Sequence, residues 1–131
     1  MLRLAQREGQ QTFTIEAIMK VCIAGSRSIV DQSVVFKAIA DSKLLIEEII
    51  TGGAAGVDKL AQHYGSISGI KVTVVKPNWR LGRGAALINN KILADMSDAL
   101  IAIYDGQSNG TLHMINAMKA KNKKVVVHVV A

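Results

Sequence analysis

From Lys20 onward the chain switches repeatedly between short apolar runs and amphipathic stretches, and this alternation most constrains its fold. Lys20–Ala24 reads as a strand. Asp31 is placed to cap a helix running to about Asp41, with Val34, Val35, Ala38 and Ile39 on one face. Glu47–Thr51 is the second expected strand, followed by a helix over about Gly56–Ser66 that buries Val57, Leu60, Ala61 and Tyr64. Lys71–Val75 is the third strand, ended by Pro77-Asn78-Trp79. A helix over about Gly84–Met96 sets Ala85, Ile88, Ile92 and Met96 in line. Ala99–Tyr104, a helix over Gly110–Lys121 presenting Leu112, Ile115, Ala117 and Met118, and Lys124–Val130 complete the pattern. Strands alternating with helices predict an α/β domain with a mainly parallel sheet flanked by helices. Nearly unbroken Val, Ile and Ala runs suit a sheet covered on both faces.

Three of the connections are rich in glycine and small polar residues. They read Gly25-Ser26-Arg27, Thr51-Gly52-Gly53-Ala54-Ala55-Gly56-Val57-Asp58 and Asp105-Gly106-Gln107-Ser108-Asn109-Gly110-Thr111. Each follows a strand and leads to a helix, where backbone N–H groups and the helix dipole favour a bound phosphate. Right-handed crossovers put all three on the edge formed by the strand C-termini. Neither the dehydrogenase fingerprint Gly-x-Gly-x-x-Gly nor an ATP-hydrolysing P-loop is present.

Within these loops several side chains have two readings. Asp58 is either a first-turn charge favoured by the dipole or a group that orients the loop and holds a ribose hydroxyl. Ser108 and Thr111 either cap a helix or contact phosphate. Arg27 is an exposed loop charge or a bidentate phosphate ligand. Asn89 and Asn90 sit in a helix and could face the crevice, to hydrogen-bond a base, ribose or carboxylate. Trp79, the single tryptophan, could stack on a base, but covering the core beneath the Pro77 turn is the favoured reading.

Catalytic chemistry has little support. His63, His113 and His128 lack metal-ligand spacing, so no metal site is expected. There is no nucleophile elbow. Asp58, Asp105 and His113 are the only titrating candidates, with Asp58 and Asp105 the weak candidates for catalysis.

Composition bounds the rest. A chain of 131 residues, half of them apolar, suits one ordered domain. Aromatics at 4% leave little for a stacking platform that tracks single-stranded nucleic acid. The net charge of +6, with local groups at Arg80 and Arg83 and at Lys121, Lys123 and Lys124, suits either an anionic partner or a solvated surface. No apolar run approaches a membrane span, and no membrane partner is expected. The lone Cys22 excludes an intramolecular disulfide, sits inside an apolar strand, and fits a reducing cytoplasm. Residues 1–18 differ in composition and read as a leader or extension, with an edge strand possible over 12–18; residues 19–131 form the domain.

Together, Gly25-Ser26-Arg27, Thr51 to Ala61, Pro77-Asn78-Trp79, Asn90 and Asp105 to Thr111 resemble the SLOG superfamily. That group unites the Smf/DprA DNA-processing proteins with the LONELY GUY phosphoribohydrolases, and the similarity is greatest to its small YspA/YpsA-like branch, common in bacteria and phages. The resemblance covers about Lys20 to Val130. It implies a Rossmann-like fold, a nucleotide-derived ligand (such as a nucleoside monophosphate, an NAD-related molecule or ADP-ribose) and homo-oligomers; no bound cofactor is expected. Combined with the loops, it makes Gly25, Ser26, Arg27, Gly52, Gly53, Gly56, Asp58, Asn90, Ser108, Gly110 and Thr111 the expected ligand-binding residues.

Two positions depart from the pattern. The phosphoribohydrolases carry Pro-Gly-Gly-x-Gly-Thr-x-x-Glu with a catalytic glutamate, and Met114 stands at that position here. Asn89-Asn90 replaces a frequent Arg-Asn. The leading expectation is a binder, either a sensor or a sequestering protein. A nucleosidase or phosphoribohydrolase-like enzyme is the alternative, and a single-stranded DNA-binding module the third.

Overall fold

The computed structural model describes residues 2–6 and 13–130; the expected leader falls partly outside the described residues, at 1 and 7–12. Leu2–Gln6 forms β1 and Phe13–Gly25 forms β2. The first expected strand, Lys20–Ala24, is thus the C-terminal part of a longer one. The chain stays extended before Lys20 because Phe13 to Ala17 pair antiparallel with β1. Pairing with the main sheet begins at Ile18, and a register shift follows between Met19 and Lys20.

The remaining elements are α1 (Gln32–Ser42), β3 (Leu45–Thr51), α2 (Val57–Ser68), β4 (Lys71–Val74), a 3₁₀ segment (Trp79–Gly84), α3 (Ala85–Met96), β5 (Ala99–Tyr104), α4 (Asn109–Ala120) and β6 (Lys124–Val129). Asp31 caps α1 by accepting the Ser33 N–H at 2.9 Å. Gly69 ends α2 in the left-handed conformation that glycine adopts without penalty.

Five strands form a parallel sheet in the order β4-β3-β2-β5-β6. After β2 the chain winds one way, to β3 and β4, then crosses over to β5 and winds the other way. The order therefore reverses between β2 and β5, and loops leaving these two strands diverge and open a crevice. Along β2, side chains alternate between two cores. Val21 and Ile23 join Val35, Ala38 and Ile39 of α1 and Val57 and Ala61 of α2. Cys22 joins Leu93 and Ala94 of α3 and Met114, Ile115 and Met118 of α4. Each large aliphatic fully buried in these layers contributes about 1.5–3 kcal/mol. The architecture is a Rossmann-like α/β domain, with helices on both sheet faces.

The two helices on the second face differ from the expected pattern. In α3 the buried residues are Ala85, Asn89, Leu93 and Ala94, whereas Ile88, Ile92 and Met96 are exposed. Asn89 takes the inward position because its Nδ2 donates to the Val75 carbonyl at 2.6 Å, which satisfies both groups. That bond turns the expected apolar row away from the sheet. In α4, Leu112 is exposed and Thr111 and Met114 are buried with Ile115 and Met118. The basic group after α4 is structural: Lys123 Nζ donates to the last carbonyls of α3, at Ala94 (2.8 Å) and Asp95 (3.3 Å), and Lys121 pairs with Asp95.

Candidate ligand-binding site

The C-terminal ends of β2, β3, β4 and β5 surround a cavity of about 270 Å³. It lies at the topological reversal, where open α/β sheets bind ligands. From β2 the cavity receives Gly25 and Arg27, and from β3 Gly52, Gly53, Ala54 and Asp58. The β5 connection supplies Ser108, Gly110 and Thr111, and α3 supplies Asn90. Two expected residues do not line it. Ser26 is buried within its own loop, its Oγ 2.8 Å from Ser28 Oγ, and its carbonyl accepts the Val57 N–H. Gly56 joins two loops: at φ 73° its Cα faces the Ser26 and Arg27 carbonyl oxygens, and a Cβ would come within 2.5 Å of both. Gly25 lines the cavity but also has a packing duty, because a Cβ there would collide with the Ile103 carbonyl oxygen and the Val57 side chain.

The first glycine loop is occupied by the chain's own carboxylate. Asp58 is 7% exposed, and its Oδ2 accepts the Ala54 N–H at 3.0 Å. Burial pushes the carboxyl up to about 6, opposed by the Ala54 N–H, the Thr51 side chain and the Arg27 charge. The buried Thr51 hydroxyl makes no hydrogen bond of ordinary geometry, yet it lies near enough to favour the charged carboxylate. An anion entering this loop would meet Asp58, whereas a neutral hydroxyl would find an acceptor. The loop is therefore better suited to a sugar hydroxyl than to a phosphate.

The second loop has the opposite character. Asp105 Oδ1 accepts the Gln107 and Ser108 N–H groups, each at 2.8 Å, which holds its carboxyl below the usual range. Asp105 shapes the turn and does not line the cavity. Ser108 caps α4, its Oγ accepting the Thr111 N–H at 3.2 Å and lying 2.9 Å from Thr111 Oγ1. Four N–H groups at a helix start lack intrahelical partners. Asp105 satisfies that of Ser108 and the Ser108 hydroxyl that of Thr111. Those of Asn109 and Gly110 have no partner among the described residues. Gly110 borders the cavity with open space beside it. Asn90 Nδ2 holds the Gly110 carbonyl at 3.2 Å and lies 3.2 Å from His113 Nδ1, fixing α3 to this turn.

Some lining residues escaped the sequence reading. Lys76 and Pro77 follow β4 and reach the same rim. The signal for Lys76 was its place just after a strand, on the edge where all the loops open. Trp79 lines the cavity at 60% exposure and does not cover the core. It sits at the mouth because Asn78 Oδ1 accepts the Arg80 N–H at 3.2 Å and starts the 3₁₀ segment there. Leu93 and Met114, both buried, supply apolar surface to the cavity. Cys22 lies in the core, its thiol raised far above its usual range by burial and then by Asp58, so it is not a nucleophile. Among the described residues no three His, Cys, Asp or Glu side chains gather as a metal site, and no helix is long and apolar enough to cross a membrane.

Comparison with known proteins adds the lineage. DNA processing protein A from Streptococcus pneumoniae has the same fold, with a TM-score of 0.69, 21% identity, 84% of this chain covered and 50% of that one. DNA processing protein A from Helicobacter pylori, described by its single-stranded DNA binding mode, gives a TM-score of 0.58 at 21% identity, covering 83% of this chain and 64% of that one. The chain thus spans half to two thirds of the length of these proteins. No curated protein matches it. The family model for YspA, cpYpsA-related SLOG proteins matches residues 19–82, which contain the C-terminal part of β2, the first glycine loop and Trp79. Over those residues, just under half of its length, the chain is similar to the YspA, cpYpsA-related SLOG family.

Proposed function

We propose that this protein binds a nucleotide-derived small molecule in the cavity at the strand ends. The observation that carries the reading is the pairing of two unlike subsites in one cavity. The unpartnered N–H groups at the start of α4, with Ser108 and Thr111, offer donors to a phosphate, and Arg27 and Lys76 add positive charge. Across the cavity, Asp58 offers an acceptor to a sugar hydroxyl. Trp79 at the mouth offers a face for a base. A cavity of about 270 Å³ stands at the small end of ligand sites and favours a nucleoside monophosphate over an NAD-related molecule or ADP-ribose.

The reading is a sensor or sequestering protein, since Met114 supplies no proton and the cavity otherwise holds one poised carboxyl. Calorimetric titration with a panel of nucleoside monophosphates, NAD-related molecules and ADP-ribose tests it. Heat and quenching of the single tryptophan are expected with at least one monophosphate; silence across the panel rejects the proposal.

Two other readings each have one observation. The raised Asp58 carboxyl could serve a nucleosidase; release of free base, lost in Asp58→Asn, would establish it. Exposed Trp79, Arg80 and Arg83 beside the mouth could follow a single strand, as the described behaviour of the Helicobacter pylori protein suggests. Affinity for single-stranded DNA falling steeply with salt would favour that reading.

A further inference from the structure

Asn89 stands outside the expected ligand-binding residues, yet it lines the cavity and is only 4% exposed. Its Nδ2 is spent on the Val75 carbonyl at 2.6 Å. That bond fixes the amide, because the flipped side chain would set two oxygens face to face. The Asn89 Oδ1 accepts no hydrogen bond among the described residues, and it is not sealed inside the protein. The open space beside it is the cavity. A carbonyl oxygen this deep calls for a donor.

Two neighbours share this character. Asp58 Oδ2 accepts the Ala54 N–H, which leaves most of a carboxylate's roughly four lone-pair sites open. Asp58 and Asn89 flank Gly52. From the point where a Gly52 Cβ would stand, Asp58 Oδ2 is 3.2 Å away and Asn89 Nδ2 is 3.7 Å away. The two side chains thus border one gap, over a residue with no side chain to fill it. Asn90 Nδ2 lies 3.2 Å from the Gly110 carbonyl and 3.2 Å from His113 Nδ1. An amide nitrogen only donates, so both its hydrogens are taken and Asn90 Oδ1 is left without a donor among the described residues.

Asn90 touches Gly110 at the start of α4, and Asn89 borders Gly52 and Asp58. The cavity therefore runs from donors at one end to acceptors at the other. A phosphate, itself an acceptor, is repelled at the second end, whereas a group carrying two donors side by side fits there. The 2′- and 3′-hydroxyls of a ribose are such a group, and they point away from its 5′-phosphate. We propose that Asn89, together with Asp58, makes the cavity selective for a ribonucleoside 5′-phosphate with both ring hydroxyls free, against 2′-deoxynucleotides and against nucleotides joined through their 3′-oxygen. This selectivity rests on the reading of the cavity as a nucleotide site and adds which sugar it takes. A 2′-deoxyribose leaves one buried acceptor unpaired. A 3′-phosphate brings a second negative charge up to Asp58 and has no hydrogen to give it.

The test is calorimetric titration at about pH 8, where Asp58 is ionised. It compares AMP, GMP, CMP and UMP with their 2′-deoxy and 3′-phosphorylated counterparts. At least one of the ribonucleotides is expected to bind, and its two counterparts to bind roughly tenfold to hundredfold more weakly. Asn89→Ala is expected to narrow the ratio of ribose to deoxyribose forms to within about threefold. Gly52→Ala keeps the bond to Val75, and its methyl group meets no protein atom nearer than 3.2 Å. It fills the gap between the acceptors and is expected to narrow the ratio as well, which covers the case of an Asn89→Ala protein that does not fold. Equal or tighter binding of the 2′-deoxy forms by the wild type overturns the selectivity and leaves the nucleotide reading standing. Silence with every compound rejects both. A ratio unchanged in the folded variants takes Asn89 out of the selection.

Discussion

Asp58 shows how burial sets the character of a single side chain. A carboxyl held at about 6 instead of the ordinary 3.8 is harder to ionise folded than unfolded. The folded state therefore binds the proton more tightly, and stability falls as pH rises through that interval and then stays lowered. Asp58→Asn keeps an oxygen for the Ala54 N–H and removes the charge. It is expected to stabilise the protein by about 2–3 kcal/mol at about pH 8, with the gain shrinking toward zero near pH 4. Urea denaturation at several pH values measures this, and a gain that grows on acidification would contradict the account. At Gly56 the constraint is steric. A methyl group there would meet two carbonyl oxygens at 2.5 Å on a backbone with φ 73°, so Gly56→Ala is expected to cost at least about 2 kcal/mol and to disturb the Arg27 loop.

Among the elements, strand–loop–helix order was legible from the residues because apolar runs and glycine loops punctuate it so regularly. The inward face of α3 was not. Helical periodicity alone favours Ile88, Ile92 and Met96 for the core, and only the bond from Asn89 to the Val75 carbonyl, across sequence-distant elements, reverses that preference. The site residues divide in the same manner. Gly110 and Thr111 declare themselves by following a strand and starting a helix. No local pattern says that Gly56 serves a loop–loop contact, or that the Ala54 N–H of the first glycine loop is taken up by Asp58. The α4 cap belongs to this scale too. Ser108→Ala removes the acceptor for the Thr111 N–H and is expected to destabilise the fold by about 1 kcal/mol in chemical denaturation and to weaken ligand binding. An unchanged stability would show that the cap contributes nothing.

For the whole molecule, the reversal of strand order between β2 and β5 gathers four loops into one cavity. The central claim is that the open start of α4 receives a ligand phosphate. Gly110→Ala tests it most directly, because a methyl group there meets nothing within 4 Å in the protein itself. Alanine also suits a helix better than glycine by up to about 1 kcal/mol. Calorimetric titration of a nucleoside monophosphate into wild-type and Gly110→Ala protein should therefore show binding by the first and at least a roughly tenfold loss in the second, with a melting temperature equal or higher. A difference of that size corresponds to about 1.4 kcal/mol. Equal affinity in the two proteins would contradict the account.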